Sequence, residues 1–262
     1  MEKLISPGLQ LISVPKLFIS VKKNFKVALG LILWLCSLNV TAQNYKIIFG
    51  KNYQKASLFV SQNYHSIDSV CRKYQAPANF ILALVFPELI RYDALSDQME
   101  TKSLEILYVN WGKEYADFSI GRFQMKPSFV ERLEQDIHSL KDTSFLKESG
   151  LQTLLNLQDE KSVREKRIFR MEQFGWQVNY LIAFYKLCEQ KFVHLNFRDD
   201  TEKLHFYATA YNSGYWKDTE KLKKMQKSHF YTIAKFTTQK SYNYADIAVF
   251  AFKNEKPSIK NH

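Results

Sequence analysis

"LALVFPELIRYDAL", residues 82–95, sets one carboxylate, Glu88, inside an apolar run. Ile81, Leu84 and Val85 fall on one face of a helix, and position 88 continues that face at the seven-residue spacing. The spacing predicts a helix over 78–91, with the carboxyl pointing where apolar groups point. Burial disfavours the charged form, so the pKa of Glu88 is expected to rise. A carboxylic acid that keeps its proton near neutral pH is able to donate it to a leaving oxygen. Pro87 opposes this geometry: it is expected to bend or end the helix and to bias Phe86 away from helical angles. Taken alone, the stretch also reads as an ordinary helix terminus.

Outward from this segment, helical periodicity recurs along the chain. Helices are expected over 53–74, 101–111, from Pro127 onward, over 162–192 with a break near Gly175, over 200–212 and over 243–252. Pro127 suits a first helical turn. Loops are expected near 93–100, 112–122, 142–150 and 213–220, and the tail 253–262 is expected to be flexible. No segment sustains the two-residue alternation of a strand. With 46% hydrophobic and 15% aromatic residues, the 262-residue chain has the apolar surface for a packed core.

Residues 22–42, "KKNFKVALGLILWLCSLNVTA", place three lysines before an apolar run that ends at Val40-Thr41-Ala42. This is the layout of a secretory signal cleaved after Ala42, and the apolar run is too short to span a bilayer. Residues 1–42 are thus expected to be a signal peptide, leaving no stable transmembrane segment. The formal charge is +11. Without the five lysines and one glutamate of residues 1–42 it is +7, which suits anionic partners without choosing among them. Cys71 and Cys188 then remain, either paired or as free thiols, and no cysteine spacing resembles a zinc site.

Two further segments carry chemistry. In "FSIGRFQMKPSF", residues 118–129, Gly121 allows a tight turn, Gln124 offers both a donor and an acceptor, and Pro127 opens the next helix. In "FYATAYNSGYW", residues 206–216, Tyr211 sits near a helix end that Asn212, Ser213 and Gly214 terminate, Gly214 as a left-handed cap. Each segment by itself reads equally as a loop into a helix and a capped helix with a core tyrosine.

Their order is more informative. Glu88, then Gly121-x-x-Gln124-x-x-Pro127, then Ala210-Tyr211-Asn212-x-Gly214, resembles the lytic transglycosylases of the goose-lysozyme-like superfamily, in which a catalytic Glu at a helix end precedes a "GLMQ-x-x-P" loop and an "AYNAG" helix end. "QVNYLIAFY", residues 177–185, is similar to that family's Asn-containing helix through Asn179, and "YNYADIAVF" to its Tyr-containing terminal helix. The resemblance spans about residues 76–252. There are departures. Leu89 stands where the family has Ser, Pro87 precedes the Glu, and Arg122 replaces an apolar residue. Glu88 and Gly121 are 33 residues apart, a longer spacing than is common there. Residues 93–117 are therefore expected to be an insertion beside the cleft, with Tyr108, Trp111 and Tyr115 either stacking on sugars or packing the insertion's own core.

The resemblance implies a mainly α, lysozyme-like fold of the α+β lysozyme superfamily: an N-terminal helical segment over 43–75 and one catalytic domain over 76–252. It implies cleavage of the β-1,4 bond between N-acetylmuramic acid and N-acetylglucosamine in peptidoglycan, with formation of a 1,6-anhydro ring. In that reading Glu88 is the single acid and base, and Tyr211 orients it. Ser119, Gly121, Gln124 and Asn212 bind substrate or position the loop. No metal or organic cofactor is implied. The partners would be glycan strands rather than nucleic acid, for a monomer exported to the periplasm or cell envelope. Two alternatives stand beside this reading. One is a lysozyme-type hydrolase using Asp93, Asp97 or Asp117 as second carboxylate. The other is a non-catalytic peptidoglycan-binding or envelope-assembly protein on the same fold.

Overall fold

The computed structural model describes residues 43–92, 94–152, 159–232 and 241–255, and only the backbone of 94–100. The expected signal peptide lies outside the described residues. The chain divides into two units, Met1–Asn44 and Tyr45–His262. The second unit holds ten α-helices among the described residues. They are α1 (Tyr45–Lys73), α2 (Ala78–Arg91), α3 (Ala94–Trp111), α4 (Pro127–Asp136), α5 (Thr143–Ser149), α6 (Glu160–Glu172), α7 (Phe174–Lys191), α8 (Asp200–Ser213), α9 (Thr219–Met225) and α10 (Tyr244–Asn254). The unit is mainly helical. No strand forms among the described residues, so the expected β component is reduced to two isolated antiparallel bridges, Ile120 with Met125 and Tyr231 with Tyr242. No described helix is long and apolar enough to cross a membrane.

Helix α2 is the centre of the packing. Apart from Asn79 and Arg91 every residue in it is buried, as expected of a helix that is apolar all round. It packs against α1, α7, α8 and α10. Of the bend or end expected at Pro87, the end does not occur: the helix runs to Arg91, the expected extent, and closes on Tyr92, whose N–H donates to the Glu88 carbonyl at 2.9 Å. Proline removes one helical N–H and crowds the preceding turn. Two tyrosine hydroxyls hold that turn from outside. Tyr244 donates to the Leu84 carbonyl at 3.2 Å and Tyr231 to the Pro87 carbonyl at 2.7 Å. Tertiary hydrogen bonds thus override the local preference.

Other boundaries also differ. α1 starts at Tyr45, eight residues before the expected start, and kinks at Gly50, which takes a positive φ. Residues 143–149, expected as loop, form α5, because Asp142 caps the Phe145 N–H and Gly150 ends the helix in the left-handed conformation. Helix α3 already begins at Ala94 inside the expected loop 93–100. The break between α6 and α7 falls at Gln173 instead of Gly175. Helix α9 occupies the end of the expected 213–220 loop. The start of the supposed flexible tail is held in place: α10 extends to Asn254, and Glu255 accepts from the Tyr53 hydroxyl and pairs with Lys46, both at 2.9 Å. Cys71 and Cys188 are free buried thiols.

Helix α3, the body of the expected insertion, packs against α6. Tyr108 packs no separate core of the insertion; it joins a polar network in the main one. Arg167 of α6 donates to Glu134 at 2.7 Å and to the Tyr108 hydroxyl at 2.6 Å. Tyr108 donates to Glu131 at 2.9 Å, and Tyr180 of α7 donates to the other Glu134 oxygen. Four helices are stitched by charges that lie almost wholly out of water. Arg167→Met leaves the Glu134 carboxylate buried without its hydrogen-bonded cation and is expected to lower stability by about 3 kcal/mol in urea denaturation at neutral pH. A loss of only a few tenths of a kcal/mol, as for exposed ion pairs, would contradict this account of the network.

Candidate functional site

The segment 118–129 forms a tight turn against the core. Ile120 and Met125 exchange backbone hydrogen bonds at 2.8 and 3.1 Å, and the Gln124 N–H donates to the Gly121 carbonyl at 3.1 Å. Gly121 and Gln124 both take positive φ, 71° and 49°. At Gly121 glycine is needed twice over, because a Cβ there would collide with the side-chain amide of Gln177. That same amide accepts from the Phe123 N–H at 3.2 Å, while the Phe123 carbonyl accepts from the Tyr211 hydroxyl at 2.8 Å. The Phe123 ring is buried against Phe59 and Phe174. Backbone and side chain of one residue are thus fixed from three directions, and the strained angle at Gln124 is held by what surrounds it. Arg122, unexpected at its position, lies over the Tyr92 and Phe59 rings, at 4.3 and 5.3 Å from their centroids, and bridges the loop to the end of α2.

This turn, the last turn of α2 and the end of α8 enclose a cavity of about 250 Å³. Glu88, Ser119, Gln124, Tyr211 and Asn212 line it, so five of the six residues singled out from sequence meet in one place. Gly121 does not line it and acts through the turn. Arg91, Lys126, Ser128, Phe129 and Trp216 also line the cavity and were not singled out. At Gly214, φ is 100° with ψ 107°, positive but not the left-handed helical cap expected. A Cβ there would lie 2.7 Å from the Trp216 ring, so the glycine lets that ring fold back to the cavity edge. Asn179 lies elsewhere, donating to the Ser149 carbonyl at 3.4 Å. Trp111 and Tyr115 are exposed and do not line the cavity.

Glu88 is only 5% exposed. Burial raises its pKa, opposed chiefly by the Arg91 guanidinium, and the net direction is upward. Arg91 Nη1 stands 3.4 Å from Glu88 Oε2, too far for a strong charged hydrogen bond. The Tyr211 hydroxyl donates to the Phe123 carbonyl and the Tyr244 hydroxyl to the Leu84 carbonyl, so the one proton of each is committed away from the Glu88 carboxyl. "YNYADIAVF" held the signal for Tyr244, but nothing in the linear sequence says which backbone carbonyl each tyrosine reaches.

Among the described residues Glu88 is the one carboxylate lining the cavity. Asp117 is turned to the start of α4, where it accepts from the Ser128 N–H at 3.0 Å and the Ser128 hydroxyl at 2.9 Å. Asp93 and the Asp97 side chain lie outside the described residues. No group of three or more His, Cys, Asp or Glu suited to a metal occurs among the described residues. Comparisons with protein-family models, with curated proteins and with solved structures give no match to the chain.

The raised pKa of Glu88 has a consequence for stability. Between the ordinary carboxyl value of 4.5 and the higher folded value, the folded chain binds more protons than the unfolded one. The contribution of this group is therefore complete below pH 4.5 and is lost as pH rises through the folded pKa. Glu88→Gln removes the titration. The variant is expected to be more stable than wild type at pH 8 and to lose that advantage below pH 4.5, as followed by thermal unfolding across pH. A difference independent of pH would contradict the burial account.

Proposed function

We propose that the chain is a peptidoglycan lytic transglycosylase on a lysozyme-like fold, exported to the cell envelope, with Glu88 as single acid and base. The observation that carries this reading is the buried Glu88 carboxyl in the cavity. It is bordered by the Gly121–Pro127 turn and the Tyr211–Gly214 helix end, in the order expected of such enzymes.

Protonated Glu88 donates to the glycosidic oxygen of the leaving sugar. The substrate's own N-acetyl group stabilises the positive anomeric carbon. Glu88, now charged, takes the proton of the C6 hydroxyl, which attacks the anomeric carbon and closes the 1,6-anhydro ring. An internal nucleophile needs no second carboxylate to activate water. The commitment of Asp117 to α4 favours this route over hydrolysis. Arg91 stabilises the carboxylate between the two proton transfers. Gln124, Ser119 and Asn212 offer hydrogen bonds to sugar hydroxyls and acetamido groups, and Trp216 offers an aromatic face at the edge. No cofactor enters the mechanism.

Digestion of purified sacculi followed by mass spectrometry of the muropeptides tests the reading. Wild type is expected to release 1,6-anhydro products. Glu88→Gln is expected to release at least about a thousandfold less while still sedimenting with sacculi, since the acid enters both steps. Reducing ends in place of anhydro ends would indicate a hydrolase. Equal release by both proteins would remove Glu88 from the chemistry, and binding without turnover by wild type would favour a non-catalytic role.

A further inference from the structure

The cavity carries more positive charge than cleavage of a neutral bond requires. Arg91 lies one helical turn beyond Glu88 and lines the same cavity. Its guanidinium is fixed by the Thr232 carbonyl, which accepts from Nε at 3.2 Å, and by the Tyr231 ring, whose centroid is 4.5 Å away. Lys126 lines the cavity from the turn before α4. It stands 3.6 Å from Asp117, whose oxygens are already bonded to Ser128. The other ionisable groups at this pair are Tyr211, Tyr231 and Tyr244. All three are pushed upward by burial and so stay neutral. Arg122 is occupied on the Tyr92 ring.

Among the described residues, Glu88 is thus the one anion facing Arg91, and it is unable to be counter-ion and proton donor at the same time. When Glu88 holds its proton, Arg91 remains charged, because a guanidinium does not release its own. A partly buried cation is then left without a facing anion, which is costly. A ligand that brings a carboxylate removes that cost.

We propose that Arg91, with Lys126, forms a carboxylate seat beside Glu88, so that the cavity takes acid-bearing amino sugars in preference to neutral ones. The identity of the sugar rests on the transglycosylase reading. A muramoyl unit then supplies the carboxylate, either on its free lactyl arm or on a peptide attached there. Binding of that anion and protonation of Glu88 favour each other, as linkage requires.

Equilibrium binding tests the seat without turnover. The probes are N-acetylmuramic acid, N-acetylmuramoyl dipeptide with a free terminal carboxylate, and N-acetylglucosamine, titrated by NMR from about pH 5 to pH 8. At the acid end wild type is expected to bind at least one carboxylate-bearing probe about tenfold more tightly than N-acetylglucosamine. That preference fades as pH rises through the Glu88 titration, because the ionised acid reclaims Arg91. Glu88→Gln is expected to keep the preference across the range. Arg91→Met loses it and Arg91→Lys retains part. Tighter binding of the free acid assigns the anion to the lactyl arm, and tighter binding of the dipeptide assigns it to the peptide. Equal affinity for all three probes in Glu88→Gln, or a preference unchanged in Arg91→Lys and Arg91→Met alike, overturns the seat. Should Arg91→Met fail to fold, the wild-type pH dependence and Arg91→Lys still decide. A preference without anhydro products from sacculi keeps the seat and removes the transglycosylase reading. Products without a preference do the reverse.

Discussion

A carboxyl group held out of water on the last turn of the most buried helix is the constraint around which this molecule is arranged. Burying Glu88 is unfavourable to its charged form, and the turn that carries it is held in place by partners of its own. Those partners come from far along the chain. Tyr244 comes from α10 and Tyr231 from the segment before it, and both donate to carbonyls of the same turn. Arg91 comes from the turn itself. The packing of α2 against α1, α8 and α10 is what makes that turn available as a rigid support.

The second support is the 120–125 turn, whose precision resides in Phe123 more than in the polar residues beside it. Gln177 holds its N–H, Tyr211 its carbonyl, and two aromatic rings its side chain. Gln124 and Ser119 then face the cavity from a backbone with little freedom to relax. A polar side chain on such a turn loses less entropy on binding than one on a free loop. Tyr211 thereby shapes the cavity through a hydrogen bond to the turn.

Much of this was legible in the linear chain, and what was not has identifiable physical causes. The extent of α2 followed from its apolar run, and five cavity residues followed from ordered motifs. Pro87 misled because its local preference is overruled by hydroxyls that come from more than a hundred residues away. Helix α5 was missed although Asp142 and Gly150 are ordinary cap residues, because seven residues carry too little periodicity to announce a helix. Arg91 and Trp216 were passed over because the property that matters is which cavity they border, and that appears only once α2, α4 and α8 are packed. Tyr211 was expected to reach Glu88; its hydroxyl reaches the Phe123 carbonyl, and that contact appears only once the chain is packed.

The dependence of α2 on Tyr244 bears on synthesis and assembly. The two residues joined by the Tyr244–Leu84 bond are 160 positions apart, so this contact forms late, after the intervening chain has been made and its loop closed. A nascent or truncated polypeptide that stops short of α10 presents Glu88 to water without that tyrosine, and a solvated glutamate reverts to an ordinary, ionised carboxylate. The raised pKa of Glu88 is therefore a property of the folded chain with α10 in place. For the proposed activity this would act as a safeguard, because fragments and unfinished chains would lack a protonated acid.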